Sequence, residues 1–189
     1  MSEQLIVIQN TLQLKASAET IASLKKFVPG SQQIYGVKMP VLNELAKQFK
    51  SGGFELVEEL WLSGAYEEKL LAIKILEKIS GKDPGRALKL VEHFSPGIDN
   101  WAICDAIGMQ ALKPIVKTHQ EEIFRLSKKY SISYNMWQRR LSLVLVEWYT
   151  RNRKFHPAIN SLVRKLENDK EYYVKKAVDW LKRNIAKRK

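Results

Sequence analysis

The sequence predicts an all-α protein built as a HEAT-like solenoid, a right-handed superhelix of stacked antiparallel helix hairpins. Helix-period apolar runs follow one another with short polar breaks, and strand-period alternation is absent over any useful length. Four similar stretches recur at steps of 36, 35 and 36 residues, measured between Lys69, Asp105, Arg140 and Lys176. A repeat of that length without strand signals is typical of stacked hairpins of the TPR, HEAT or armadillo kind.

The 189 residues are long enough for one domain with a substantial core, and we expect a single domain over 1–189. Residues 1–53 are predicted to form N-terminal helices and residues 54–189 the hairpin repeats. The first two helices are expected at 5–14 and 18–27, the second closed by Pro29-Gly30. A third begins at Pro40, which suits a first helical position, and ends at Gly52-Gly53.

Four hairpins account for the repeat region. Their predicted helix pairs are 54–61 with 66–79, 86–94 with 100–112, 118–129 with 135–150, and 155–166 with 171–186. A single hairpin cannot bury its apolar side alone. We therefore expect an inter-repeat core of Leu71, Ile73, Leu76, Leu143, Leu145, Ala177 and Leu181, and we assign Tyr130, Tyr134, Trp148 and Tyr149 to packing.

The second helix of each hairpin carries one position of an aligned column, defined as Lys69, Asp105, Arg140 and Lys176. Second helices of stacked hairpins generally line one surface, often the concave one. The column is basic except at Asp105. This pattern favours a basic concave surface that holds a polyanion and presents one carboxylate to it.

The net charge of +12 is distributed unevenly. Residues 1–94 carry 12 basic and 11 acidic side chains, a net +1, whereas residues 95–189 carry 20 and 9, a net +11. An uneven excess favours nucleic acid as the partner, because basic patches bind phosphates with release of counterions. The alternative is a basic protein whose charge only aids solubility.

Several protein classes are excluded or disfavoured by the composition. No apolar run approaches the roughly 18 residues that span a bilayer, so no membrane partner is expected. The start, Met1-Ser2-Glu3-Gln4, lacks the cationic segment of a signal peptide, and we expect a cytoplasmic monomer. Cys104 is the only cysteine, and the three histidines, His93, His119 and His156, are far apart, so neither a metal nor another cofactor is predicted.

Trp101 and Asp105 lie four residues apart and therefore share one side of a helix. An indole beside a carboxylate suits a cation, since the ring offers its negative face and the acid its full charge. The alternative is a core tryptophan with an unrelated surface aspartate. The replacement of a base by an acid in the column makes Trp101 and Asp105 a candidate cation-binding pair, and both interpretations stay open at this point.

The basic members of the column are candidate phosphate contacts. Arg139 and Arg140 follow Trp137 at a helix start, where bidentate guanidinium groups suit phosphate. Lys69, Lys175 and Lys176 are candidates of the same kind with less specificity. For all five the alternative is a solvated charged surface. Trp180, one turn after Lys176, suits the core when judged from its position alone.

Several segments resemble the alkylpurine DNA glycosylases of the AlkD type. They are Asn100-Trp101-Ala102-Ile103-Cys104-Asp105, Asn135-Met136-Trp137-Gln138-Arg139-Arg140, Glu171-Tyr172-Tyr173-Val174-Lys175-Lys176-Ala177-Val178-Asp179-Trp180, Tyr35-Gly36-Val37-Lys38-Met39-Pro40 and Glu59-Leu60-Trp61. The resemblance covers most of the chain, from about Tyr35 to Lys187, and its specificity lies in the order and spacing of these motifs.

This resemblance implies a HEAT-like solenoid that wraps duplex DNA and hydrolyses the N-glycosidic bond of N3- and N7-alkylated purines without base flipping. It implies that Trp101 and Asp105 are catalytic, that Arg140 holds a phosphate, and that Trp180 is a second tryptophan beside the lesion. Two alternatives stay open: a non-catalytic module that binds bent or branched DNA, and a helical scaffold that binds an acidic protein.

Overall fold

The computed structural model describes residues 1–30 and 33–187, and within these ranges it is all-helical with no strand. The predicted all-α, helical-repeat fold is confirmed. The helices are α1 (Glu3–Leu14), α2 (Ala18–Phe27), α3 (Met39–Gln48), α4 (Gly53–Ser63), α5 (Tyr66–Ile79), α6 (Pro84–Phe94), α7 (Trp101–Ala106), α8 (Gln120–Tyr130), α9 (Met136–Val144), α10 (His156–Leu166) and α11 (Tyr172–Ala186). Arg188 and Lys189, which belong to the predicted basic repeat region, lie outside the described residues.

The chain divides into two compact units. One comprises the described residues of Met1–Leu90 with Gln110–Pro114, and the other comprises Val91–Met109 with the described residues after Pro114. The change between units falls within α6, whereas the sequence places the change from N-terminal helices to repeats at residue 53. Each unit is a set of packed helices with its own buried apolar side chains.

In the first unit, α4 and α5 form a closely packed hairpin, with α3 against α5 and α1 against α4. Two fully buried glutamates at the start of α5 fix the loop that precedes α3. Glu67 accepts hydrogen bonds from the backbone N–H groups of Tyr35 (3.0 Å), Gly36 (2.7 Å) and Val37 (3.0 Å). Glu68 accepts from the Tyr35 hydroxyl at 3.0 Å. Burial and the nearby Glu68 carboxylate raise the pKa of Tyr35 to about 12.

Gly36 shows why this loop requires a glycine. Its φ is +82°, a region that side chains disfavour, and a Cβ there would lie 2.5 Å from Ile21 Cγ1 and from the Ser17 carbonyl oxygen. The Gly36 carbonyl also accepts a hydrogen bond from Ser17 N at 3.1 Å. The glycine of the Gly36-to-Pro40 motif therefore has a packing reason, and Pro40 lies in the first turn of α3.

In the second unit, the second helices of successive repeats lie side by side: α7 packs against α9, and α9 packs against α11. The partner helices complete the hairpins, with α8 on α9 and α10 on α11. All seven predicted core residues are buried in their respective units, as are Tyr130 and Tyr149. Trp148 is half-buried, and its indole N–H donates to the Met109 carbonyl at 3.1 Å, so its packing role is also confirmed.

Two predicted helices are interrupted, and one packing assignment is wrong. The helix predicted at 100–112 is α-helical only to Ala106 and continues as a π-helical segment over Ile107–Ala111. The helix predicted at 135–150 ends at Val144, and a tighter 3₁₀ segment covers Glu147–Arg151. Tyr134, predicted to pack, is fully exposed, because it lies in the loop between α8 and α9 rather than on a helix.

Across residues 1–30 and 33–187, none of the helices combines the length and apolar character that crossing a bilayer requires.

Candidate active site

The two helices that carry the central part of the column begin at asparagine caps. The Asn100 side chain accepts from Ile103 N at 2.9 Å and starts α7 at Trp101. The Asn135 side chain accepts from Trp137 N at 2.8 Å and starts α9 at Met136. Such caps satisfy N–H groups that a helix start otherwise leaves unpaired. As a result, Asp105 and Arg140 occupy the same position, the fifth residue of two neighbouring helices.

Asp105 and Arg140 form a bidentate ion pair between α7 and α9. Arg140 Nε donates to Asp105 Oδ1 at 2.9 Å, and Arg140 Nη2 donates to Asp105 Oδ2 at 2.8 Å. The third guanidinium nitrogen, Nη1, donates to the Tyr173 carbonyl on α11 at 2.6 Å. Arg140 therefore links the second helices of three successive repeats. Parallel N–H···O bonds of this kind fix the plane of a carboxylate as well as its position.

The two side chains differ in exposure, and the carboxylate is the more accessible of the two. The Arg140 side chain is 8% exposed, whereas the Asp105 side chain is 26% exposed. Each carboxylate oxygen can accept further hydrogen bonds beyond the one from Arg140. The geometry thus presents an oriented carboxylate whose open side can meet a cation or a water molecule.

Burial raises the pKa of the Asp105 carboxyl above its ordinary value, and the hydrogen bonds and charge of Arg140 offset part of that rise. Burial also raises the pKa of the neighbouring Cys104 thiol well above its usual range, with the Asp105 charge acting in the same direction. The fully buried Cys104 is therefore a neutral thiol in the α7–α9 contact, where its Sγ lies 3.6 Å from the Trp137 carbonyl.

The aromatic candidates border these helices. Trp101, the first residue of α7, is half-buried, and so is Trp180 in the third turn of α11. Trp180 makes no hydrogen bond to the part of the chain that the structure describes. The prediction that the two tryptophans flank a lesion stays a prediction. Trp137 is buried and packs on the Tyr173 ring at a centroid distance of 5.0 Å, which supports the α9–α11 contact that Arg140 uses.

Arg139 points to a different partner from that of Arg140. Its Nε donates to Asp169 Oδ2 at 2.6 Å, and its Nη1 donates to the carbonyls of Ser133 and Tyr134, each at 2.9 Å. Burial opposes ionisation of Asp169, but the hydrogen bonds from Arg139 and from Glu171 N outweigh it and lower the pKa of Asp169. Arg139, a predicted DNA contact, thus ties two loops together in this structure.

The predicted lysines are distributed over both units. Lys175 and Lys176 are exposed on the first turns of α11, and Lys176 Nζ lies 5.3 Å from the centre of the Tyr172 ring. Lys69 belongs to the first unit, where its Nζ lies 5.4 Å from the Trp61 ring centre. The structure therefore places Asp105, Arg140 and Lys176 in one unit and Lys69 in the other.

Sequence reasoning overlooked several of the groups that build this site. The capping residues Asn100 and Asn135 were detectable, because each directly precedes an aligned helix at a spacing of 35 residues. The Tyr173 carbonyl and the Asp169 carboxylate left no such signal, since a backbone acceptor and a loop acid gain their roles only from tertiary packing. Among the described residues, no three His, Cys, Asp or Glu side chains group as metal ligands.

Comparison with known protein families gives a match over nearly the full sequence. The sequence model of a family described as DNA alkylation repair enzyme matches residues 8–189. No curated protein matches the chain.

Proposed function

Because the chain belongs to the DNA alkylation repair enzyme family, we propose that it is a DNA glycosylase acting on cationic N3- and N7-alkylated purines in duplex DNA. The observation that carries the proposal is the Asp105–Arg140 fork: one carboxylate, oriented at two oxygens and partly open to solvent.

The chemistry of such a substrate requires only one carboxylate. Glycoside hydrolysis ordinarily needs an acid for the leaving group and a carboxylate for the oxocarbenium-like transition state. A purine alkylated at N3 or N7 is already cationic. When the C1′–N bond breaks, its electron pair returns to the purine, which leaves as a neutral base. Protonation of the leaving group is then unnecessary.

Asp105 is proposed to stabilise the positive charge that develops on the sugar, as fixed anions and dipoles do when they face developing charge. Water then adds to C1′, and its proton passes through Asp105 to solvent. Ionised Asp105 is essential in this scheme, and the Arg140 guanidinium favours the ionised form by offsetting part of the rise in pKa that burial causes.

The remaining candidates are proposed to hold the DNA. Trp101 and Trp180 would border the lesion nucleotide through their aromatic faces, which attract a cationic base. Lys175, Lys176 and Lys69 would contact phosphates as mobile point charges. We expect Arg140 to act primarily through Asp105, and the alternative role, a phosphate contact, is separated from it by the substitution Arg140→Met.

The experiment is release of base from a duplex oligonucleotide with one 7-methylguanine, comparing wild type, Asp105→Asn and Asp179→Asn. Asp179 is an exposed carboxylate on α11, so its variant removes the same charge without touching the fork. We expect Asp105→Asn to lower the excision rate by roughly 10²–10³-fold or more, a loss typical of removing one group that stabilises transition-state charge. DNA affinity should stay equal or rise.

The result distinguishes the glycosylase from the non-catalytic DNA-binding module. Excision by Asp105→Asn at the wild-type rate would refute the role of this carboxylate. Wild-type protein that binds DNA in a salt-sensitive manner but releases no base would instead support the non-catalytic module. In that case branched and linear duplexes should be compared for affinity.

A further inference from the structure

The loop between α8 and α9 presents two large apolar side chains to solvent. Tyr134 is fully exposed and Ile132 is 67% exposed, and only one residue separates them. We call residues 131–135 the tyrosine loop. Exposed apolar groups within a polar and charged surrounding mark surfaces that bind a partner.

The backbone of the tyrosine loop is held in place although the Tyr134 ring is free. Arg139 Nη1 donates to the carbonyls of both Ser133 and Tyr134 at 2.9 Å. The Ser133 hydroxyl accepts from Asn135 N at 3.0 Å. The ring is therefore presented on a fixed support, and preorganisation of this kind lowers the entropy lost on binding.

Arg139 is itself fixed by a second loop. Its Nε and Nη2 form a fork with Asp169, at 2.6 Å and 3.3 Å, and the two side chains are only 18% and 8% exposed. Asp169 Oδ1 also accepts from Glu171 N at 2.9 Å, at the residue that precedes α11. One guanidinium thus joins the tyrosine loop to the start of α11.

The charges around the tyrosine loop and the loop before α11 favour nucleic acid as the partner. Exposed lysines lie next to both loops in the sequence, namely Lys128, Lys170 and Lys175, whereas of the nearby acids Asp169 is paired with Arg139 and Glu171 is exposed. An aromatic ring among cations suits nucleic acid, whose bases stack on aromatic side chains and whose phosphates bind lysine.

We propose that Tyr134 stacks on a DNA base at a distorted step of the bound duplex, with Arg139 as the positioning residue. The inference rests on the DNA binding of the proposed function but not on its chemistry. Arg139 then contributes to DNA affinity through the tyrosine loop and not through a phosphate.

The test is equilibrium binding to an undamaged duplex that contains 2-aminopurine, for wild type, Tyr134→Ala and Tyr134→Phe. Loss of one stacking contact should weaken binding by about 5- to 100-fold in Tyr134→Ala and should abolish the change in 2-aminopurine fluorescence. Tyr134→Phe should retain both. The matched control is Phe27→Ala, which removes an exposed aromatic from the first unit and should bind as wild type does.

A double-mutant cycle isolates the role of Arg139. Arg139→Lys keeps the charge but loses the planar fork, so it should weaken binding as Tyr134→Ala does, and the combined variant should lose little more. If Arg139 instead contacted a phosphate, the affinity losses of the two single variants would multiply in the combined variant. The slope of log affinity against log salt would then also be smaller in Arg139→Ala than in the wild type.

The outcomes separate this inference from the proposed function. Tight DNA binding that is unchanged in Tyr134→Ala would overturn the stacking role and leave the glycosylase proposal intact. Absence of DNA binding by the wild type would overturn both. Base release can be lost in Asp105→Asn without affecting the Tyr134 result, because the duplex used here carries no lesion.

Discussion

Substitution of Arg140 by methionine separates its two candidate roles. The change keeps most of the side-chain volume but removes the two hydrogen bonds to Asp105 and the one to the Tyr173 carbonyl. Removing one partner of a buried ion pair costs about 3–5 kcal/mol. Since the Asp105 side chain is 26% exposed, water can replace part of what is lost, and we expect a decrease of about 2–4 kcal/mol in the free energy of unfolding.

The decisive readout is the acidic limb of the pH–rate profile for base release. In the proposed mechanism excision requires ionised Asp105, so the rate should fall as pH decreases through the pKa of this carboxyl. Burial raises that pKa and Arg140 lowers it. Without Arg140 the pKa rises further, and the loss of activity on acidification should begin at a higher pH than in the wild type.

A phosphate contact would produce a different pattern. In that case Arg140→Met would weaken DNA binding, and the slope of log affinity against log salt would decrease by about one. The acidic limb would stay where it is in the wild type. Arg164→Met is the control, because Arg164 is exposed on α10 and the change removes the same charge away from the fork. An unmoved acidic limb together with a smaller salt slope would refute the positioning role.

Two further predictions concern the packing that supports each unit. Glu67→Gln should lower the free energy of unfolding by about 2–3 kcal/mol, because an amide N–H would face one of the three backbone N–H groups that now donate to the buried carboxylate. In chemical denaturation the control Glu44→Gln, at an exposed position, should show no comparable loss. Equal midpoints for the two variants would disprove the assignment. Gly108→Ala should destabilise the protein by about 1–3 kcal/mol and reduce excision, since the added Cβ would lie 2.5 Å from Val144 Cγ1 and separate α7 from α9. Thermal melting would detect the loss of stability. An unchanged melting midpoint would show that the contact relaxes at little cost.

The repeat spacing was sufficient to predict which helices carry the column. Asp105 and Arg140 occupy equivalent positions of α7 and α9, as the step of 35 residues between them requires. Spacing could not predict their pairing. Packed helices lie about 8–10 Å apart, a distance that an arginine side chain can bridge. An arginine at a repeated position can therefore reach either a ligand or the next helix. Only the tertiary structure shows that Arg140 reaches Asp105.

The errors in helix extent have a similar origin. An α-helix has 3.6 residues per turn and a 3₁₀-helix has 3.0, and the spacing of apolar residues over a single turn hardly distinguishes the two. The 3₁₀ segment at Glu147–Arg151 therefore continues the apolar pattern of α9 in the sequence. Tyr134 was assigned to packing because aromatic residues are usually buried. Its exposure depends on the loop conformation that Arg139 imposes through two carbonyl groups, which no local pattern encodes.

The adjacent arginines of α9 show how one helix serves two purposes. Consecutive helical residues point about 100° apart, so Arg139 reaches the loops at Ser133 and Asp169 while Arg140 reaches α7 and α11. Both guanidinium groups are thereby committed to carboxylates and carbonyls. In the proposed complex, the exposed lysines of α11, Lys175 and Lys176, would therefore supply much of the positive charge that α9 and α11 offer to DNA. Lysines adapt to a phosphate backbone without fixed geometry, whereas the planar guanidinium groups of Arg139 and Arg140 orient the tyrosine loop and the Asp105 carboxylate. The proposed function thus assigns orientation of the site to the arginines of α9 and phosphate binding to the lysines of α11.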